Sequence, residues 1–307
     1  MQRSVLKPLV TIGIPCYNEE SNITQAVTWA RSQTYPNIEV LISDAGSQDG
    51  TIDRLHILEA RKEARVIYHP PGTSKYENWN TLVKESHGDF LLILVARHKL
   101  YPTCVEHLVA PFLHNIRLGY VRACMVWKHS DGVRQRMVPA MVSGKRESQE
   151  ELALLFRGNT CETIATLYKT EALRKALPFD SRLDRTFVWL ANAKVASDNP
   201  VYFKNVDVAE WIDSLTKAKK AISELPILYN ELTKLAKSNS LIMDEADYRD
   251  CLAGHIESSR ITKSNKYYKL WLISKSFLQH LVFRHLSWIA EGTRVKLRQF
   301  WRFLSKF

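Results

Sequence analysis

The sequence predicts an α/β fold, a mainly parallel sheet flanked by helices, with a helical C-terminal extension. Three observations carry that prediction. β-branched runs alternate with helical patterns through the first hundred residues, the ends of those runs turn abruptly from apolar to polar, and strand signals vanish after about residue 209.

The first strand is expected over residues 9–14, with Pro15 stopping its ladder for want of an N–H, and a helix over 21–32. A second strand at 38–42 runs through Ser43-Asp44-Ala45-Gly46 into Asp49-Gly50-Thr51, which reads as turn plus N-cap for a helix over 51–61. A strand at 65–68, a helix around 78–85 and a strand at 90–94 follow. Helices of this length between strands imply right-handed crossovers and a parallel sheet, whose ligands bind at the carboxyl ends of the strands. Residues 119–140 are less regular, with a strand at 120–127 and a turn at Ser130-Asp131-Gly132. A helix near 150–156, a polar-apolar stretch at 159–168 and a helix over 186–195 complete a first domain, residues 1–210. Residues 211–307 read as helices with Pro226 as one break.

Composition narrows the class. The chain has 307 residues, 45% hydrophobic and 24% charged, enough for a large core plus an appendage. Five scattered cysteines, Cys16, Cys104, Cys124, Cys161 and Cys251, form no CxxC pair, so neither a disulfide framework nor a zinc knuckle is expected. The N-terminus lacks the pattern of a signal peptide and no run of 18 uncharged apolar residues occurs, so the expectation is a cytosolic protein without a spanning helix. Residues 263–307 hold ten of the basic residues and one acid, Glu291. That leaves 33 basic and 31 acidic groups in the first 262 residues, so +9 of the net charge of +11 sits in the tail and the body has no electrostatic reason to seek a polyanion.

Chemistry-bearing residues cluster at the strand ends. After the first strand come Pro15-Cys16-Tyr17-Asn18-Glu19-Glu20; Asn18 and Glu19 can hydrogen-bond a base or ribose, or cap the next helix. After the second, Asp44 is placed to accept hydrogen bonds from a nucleoside, while Asp49 suits a structural turn. These segments, followed in register by Asn78-Trp79-Asn80 and Gly88-Asp89-Phe90, resemble the family 2 glycosyltransferases of GT-A (nucleotide-diphospho-sugar transferase) fold, over about residues 10–102 and, more weakly, to about Trp211. The resemblance implies a nucleoside pocket lined by Pro15, Tyr17, Glu19 and Asp44, with Asn18 beside them as a donor contact, for a uridine, guanosine or thymidine diphosphate sugar.

The chain departs from the family at one corner. There the fourth strand ends in an Asp-x-Asp motif that holds Mg²⁺ or Mn²⁺, whereas this sequence reads Val95-Ala96-Arg97-His98-Lys99. Val and Arg cannot ligate a hard cation and a lone His is a poor magnesium site, so no metal ligands are assigned. Two readings stand side by side: Arg97, with Lys99 or His98, clamps the diphosphate in place of the ion, or the site is degenerate and Arg97 faces solvent. By the same resemblance an inverting transfer needs an acceptor-side base. Asp184 is the candidate, although the usual position falls on Arg185 and Asp184 also suits the dipole of the following helix. Asn159, Thr160 and Glu162 are further candidates to line the acceptor cleft.

In the tail, Leu297, Phe300, Trp301, Leu304 and Phe307 fall on one helical face while Arg294, Arg298, Arg302 and Lys306 recur at four-residue steps. Such a helix can lie in an anionic bilayer surface, or pack its aromatic face on the body. Its basic and aromatic residues segregate to separate faces, which argues against nucleic acid. The expectation is a transferase moving a sugar from a nucleotide-sugar donor to a saccharide or lipid-linked acceptor in bacterial cell-surface polysaccharide or lipopolysaccharide assembly, peripheral on the inner face of the plasma membrane. The alternative is a degenerate relative that binds nucleotide or a partner enzyme.

Overall fold

The structure is a computed structural model, and it describes residues 7–128, 132–136, 142–157, 162–212 and 218–239. The tail at 263–307, Asn159, Thr160, and Ser130 with Asp131 lie outside the described residues. The first half alternates as expected: β1 (Val10–Cys16), α1 (Ile23–Arg31), β2 (Ile38–Asp44), α2 (Thr51–Ala60), β3 (Arg65–Tyr68), α3 (Lys75–Glu85) and β4 (Phe90–Ile93). Then come β5 (Lys99–Leu100), α4 (Cys104–His114), β6 (Tyr120–Lys128), β7 (Arg134–Arg136), β8 (Gly144–Arg146) and α5 (Ser148–Arg157). A 3-10 turn at Thr163–Ala165, β9 (Thr166–Lys169), α6 (Thr170–Lys175), α7 (Phe187–Asp198), β10 (Val201–Ile212) and α8 (Ala218–Ser238) follow.

One sheet runs in the order β3-β2-β1-β4-β9-β6-β10-β5, with β7 on β6 and β8 on β10. Its first four strands are parallel. β9 then runs antiparallel to both β4 and β6, so the second half is mixed. The order reverses at β1, which sends β2 and β3 to one side and β4 to the other, and the carboxyl ends there form the crevice in which such sheets bind ligands.

Both faces of the sheet are covered, which is why β1 and β4 are nearly all apolar. On one face Ile12, Ile14, Ile42, Leu92, Val121 and Ala123 pack against α1, α2 and α4. On the other, α3 meets β1 directly because Gly13 has no side chain: a Cβ there would lie 2.2 Å from Leu82. Further along this face the buried Arg122 guanidinium pairs with Glu151 of α5 at 3.0 Å, and the Tyr120 hydroxyl donates to the same carboxylate at 2.9 Å. Each charge thus keeps a partner out of water.

Two expectations are corrected. Pro15 does not stop β1, which continues to Cys16 with Pro15 opposite Ser43. The Gly13 carbonyl faces β4 and the Cys16 carbonyl faces the β2 side, so by alternation the missing N–H of Pro15 points where the β4 ladder has already ended. Nor does Pro226 break a helix, since α8 runs through it. An internal proline costs about 3 kcal/mol, and burying Leu225, Leu228, Tyr229 and Leu232 at about 1.5–3 kcal/mol each outweighs it. Among the described residues no helix is long and apolar enough to cross a membrane.

Candidate functional site

The loops leaving β1 and β2 are knitted into one surface at the carboxyl end of the sheet. Asn18 has φ 52°, a left-handed conformation that asparagine tolerates. Its N–H donates to Ser47 Oγ at 2.8 Å, and its Oδ1 accepts from the Gln48 N–H at 2.9 Å. The Glu19 N–H donates to Thr51 Oγ1 at 2.9 Å. Asp49 Oδ1 accepts from the Thr51 N–H at 3.0 Å and so closes the turn that leads into α2, the structural role its turn suggested.

Pro15, Tyr17, Asn18, Glu19 and Asp44 are thereby brought to one edge, but they are not equally available. Tyr17 is 54% exposed, a free aromatic face above the loops. Asp44 is fully buried; its Oδ2 accepts from the N–H groups of Gly46 and Ser47 at 3.0 and 2.9 Å and its Oδ1 from the Ser47 hydroxyl. Its direct work is to shape the β2 loop. Gly46 turns that loop at φ +77°, against the backbone of Pro70 and Pro71, where a Cβ would sit 2.5 Å from the Pro71 nitrogen. Burial, reinforced by the Asp44 and Glu19 carboxylates, pushes the Cys16 thiol up and keeps it unreactive.

The corner after β4 holds Val95, Arg97 and His98, which stand where the resemblance led one to expect an acidic motif. The Arg97 guanidinium is exposed and pairs with Glu19 Oε1 at 3.3 Å, while Glu19 Oε2 accepts from the Asn22 side chain at 2.7 Å. His98 turns inward. Its ring stacks on Trp211 at 3.9 Å, and Nδ1 accepts the Ile212 N–H at 3.2 Å, which pins the end of β10. Burial, with the Arg97 charge beside it, pushes the His98 imidazole down to about 3, so it stays neutral with its proton on Nε2. Lys99 lies on β5, opposite Glu210. An aliphatic side chain, a guanidinium and an imidazole already spent on a backbone N–H do not fit a hard divalent ion. Among the described residues no group of three or more His, Cys, Asp or Glu side chains stands ready for a metal.

Asp184 reaches the same end of the sheet by another route. The α3 first turn begins there, and its Asn78 side chain donates to the Cys16 carbonyl at 3.3 Å. Lys75, one turn away, grips Asp184 through both its carboxylate and its main-chain carbonyl. The Lys75 ammonium also lies 5.2 Å from the Tyr76 and Phe187 rings. Behind it, Glu224 of α8 caps α7: its carboxylate accepts from the N–H groups of Arg185 and Thr186 at 2.9 and 3.1 Å and from the Thr186 hydroxyl at 2.9 Å. Lys75 and Glu224 were not foreseen, because nothing local marks a partner 109 or 38 residues away. Glu162, half-buried before the 3-10 turn beside β4 and β6, is pushed up to about 7 by burial.

Comparison with known proteins identifies the family and the fold. The family model described as glycosyl transferase family 2 matches residues 11–177. An uncharacterized glycosyltransferase of Haemophilus influenzae is 28% identical over 88 residues, 28% of this chain and 35% of its own. Glycosyltransferase AglE of Haloferax volcanii is 36% identical over 90 residues, 28% of this chain and 30% of its own. The aligned stretches thus span about a third of these relatives' length. The structure of S. aureus TarS 1–349 in complex with UDP-GlcNAc superposes with a TM-score of 0.61 at 16% identity, covering 83% of this chain and 73% of that one. That likeness establishes the shared GT-A fold.

Proposed function

Because the chain belongs to glycosyl transferase family 2, we propose that it moves a sugar from a nucleotide-sugar donor to an acceptor hydroxyl, with Arg97 in the place of a metal ion. The observation that carries this reading is the Arg97–Glu19 pair: a guanidinium at the end of β4, beside the loops of β1 and β2. A guanidinium matches phosphate oxygens in a bidentate way, and a fixed cation there would stabilise negative charge building on the departing diphosphate. Uridine diphosphate is the first nucleotide to test, since TarS 1–349 was solved with UDP-GlcNAc.

In the proposed step an acceptor oxygen attacks the anomeric carbon as the bond from that carbon to the diphosphate oxygen breaks. The acceptor proton passes to the Asp184 carboxylate, and the single displacement inverts the anomeric centre. Lys75 must yield some of its hold as the proton arrives, because an ammonium ion beside a carboxylate opposes its protonation. The proposed setting is bacterial surface-polysaccharide or lipopolysaccharide assembly at the inner face of the plasma membrane, with residues 263–307 on anionic lipid. Flotation that is equal on anionic and neutral vesicles would remove the lipid part.

Titration calorimetry of UDP with and without EDTA tests the donor site. Binding that survives chelation and is lost in Arg97→Ala is expected. Binding that requires Mn²⁺ would contradict the clamp, and tight binding without any transfer would favour a degenerate relative.

A further inference from the structure

Resting on that reading, we propose that the acceptor is anionic: a phosphate-bearing saccharide, recognised by a cationic rim on β5, β6, β7 and β10. The ladder places the rim. Glu210 of β10 pairs with Lys99 of β5 and with Val126 of β6, Val126 pairs with Arg136 of β7, and Lys128 pairs with Arg134. Residues opposite each other in a ladder, and those two apart along a strand, share a face. Lys99, Lys128, Arg134, Arg136 and Glu210 therefore lie on one face of the sheet. It is also the face of Tyr120 and Arg122, which α5 covers farther down. Asp184 is reached from this face too, through α3, whose Leu82 packs there against Gly13.

The charge is unbalanced where solvent meets it. The Glu210 side chain is only 8% exposed; it is covered by Arg134, which pairs with it, and by Lys128 at 4.0 Å, both about half exposed. Lys99 stands opposite Glu210 in the ladder, on β5. Arg136 is matched by Asp207 at 2.6 Å. Among the described residues two cations, Lys128 and Arg134, thus share one buried carboxylate, with Lys99 beside them in the ladder, in a body whose first 262 residues are nearly neutral. A buried acid under exposed bases presents positive potential outward and holds the bases in place, with the Arg134 guanidinium further fixed by the Tyr101 hydroxyl at 3.1 Å. Guanidinium and ammonium groups so arranged suit phosphate oxygens.

The test uses the full chain and a fluorescent phosphorylated mannopentaose beside its phosphatase-treated twin, with affinity read by anisotropy. The phosphorylated probe should bind at least about ten-fold more tightly, a preference lost in Lys128→Gln/Arg134→Gln and reduced several-fold in Lys128→Gln, which leaves the Arg134–Glu210 pair intact. Tail variants Arg298→Gln/Arg302→Gln should keep it. Equal affinity for the two probes, or a preference that follows the tail and ignores the rim, overturns the proposal. UDP titrated alongside reports on the donor reading separately: its failure to bind the wild-type chain would count against that reading, while the probe preference alone decides the rim.

Discussion

Replacing Glu224 by Ala should cost the protein roughly 3–5 kcal/mol. The carboxylate is 5% exposed and accepts three hydrogen bonds at the start of α7, two from N–H groups and one from the Thr186 hydroxyl. Hydrogen bonds to a charged group contribute about 1.5–3 kcal/mol each, and a buried donor left without a partner costs about 1–3 kcal/mol. The Ala variant leaves the N–H groups of Arg185 and Thr186 exposed to that penalty, and the α7 cap is lost. A loss of this size should lower the thermal midpoint by roughly 10 °C in a domain of this size. Glu224→Gln keeps one acceptor oxygen and should lose about half as much. Chemical denaturation with matched thermal scans measures both. Because Asp184 immediately precedes the capped residues, transfer should fall in the Ala variant even at temperatures where it remains folded. A loss under 1 kcal/mol would refute the claim that Glu224 organises this segment.

Three more outcomes follow from the same geometry. The neutral His98 has a folded value near 3 against an ordinary 6.5, so the unfolded chain binds more protons between those values and stability should fall as pH drops from about 6.5 toward 3. His98→Asn, which can keep an acceptor for Ile212, should flatten that acid limb by about 2 kcal/mol at pH 4.5, read from urea midpoints across pH; an unchanged limb would show that another group sets it. Glu162 has the opposite sign: its value near 7 makes ionisation costly in the fold, so Glu162→Gln should stabilise the chain by about 1–2 kcal/mol at pH 8 and have little effect at pH 4. Gly46→Ala puts a Cβ against the Pro71 nitrogen at a positive φ, and should cost about 1–3 kcal/mol and weaken UDP binding measured by calorimetry; wild-type affinity would mean the β2 loop does not shape the nucleoside pocket.

The parallel half of the fold was legible because each strand there is a short apolar run followed by an amphipathic helix, and the polar residues at its ends mark the crevice. Even the start of α3 was written locally: the Ser74 hydroxyl accepts from the Glu77 N–H at 3.2 Å, a capping signal four residues ahead of the expected start at Asn78. The second half was harder. α4 buries Cys104, Val105, Leu108, Val109 and Phe112 at helical spacing, but Pro111 within it obscures the pattern. β10 alternates with charged Lys204, Asp207 and Glu210 and carries register shifts, so its period is broken exactly where it leaves the core for the rim.

The site divides in the same way. Tyr17, Asn18, Glu19 and Asp44 could be placed from strand ends alone, and the position of Val95, Arg97 and His98 just after β4 was equally plain. What those residues touch was not. Arg97 reaches Glu19 across 78 residues, and His98, read as a donor contact, faces Trp211 and Ile212 instead of open solvent. Such partners are chosen by tertiary packing, and no local period encodes them.

The most direct measurement is turnover of a panel of UDP-sugars in EDTA, by hydrolysis or transfer, for the wild-type chain, Arg97→Ala and Asp184→Asn. The wild-type chain should turn over at least one donor at a rate the chelator does not change. Arg97→Ala should lower that rate about 10- to 100-fold, the loss of about 1.5–3 kcal/mol for a charge-assisted contact, and Asp184→Asn should remove transfer while leaving UDP bound. Turnover that appears only on adding Mn²⁺, or that Arg97→Ala leaves unchanged, would contradict the account.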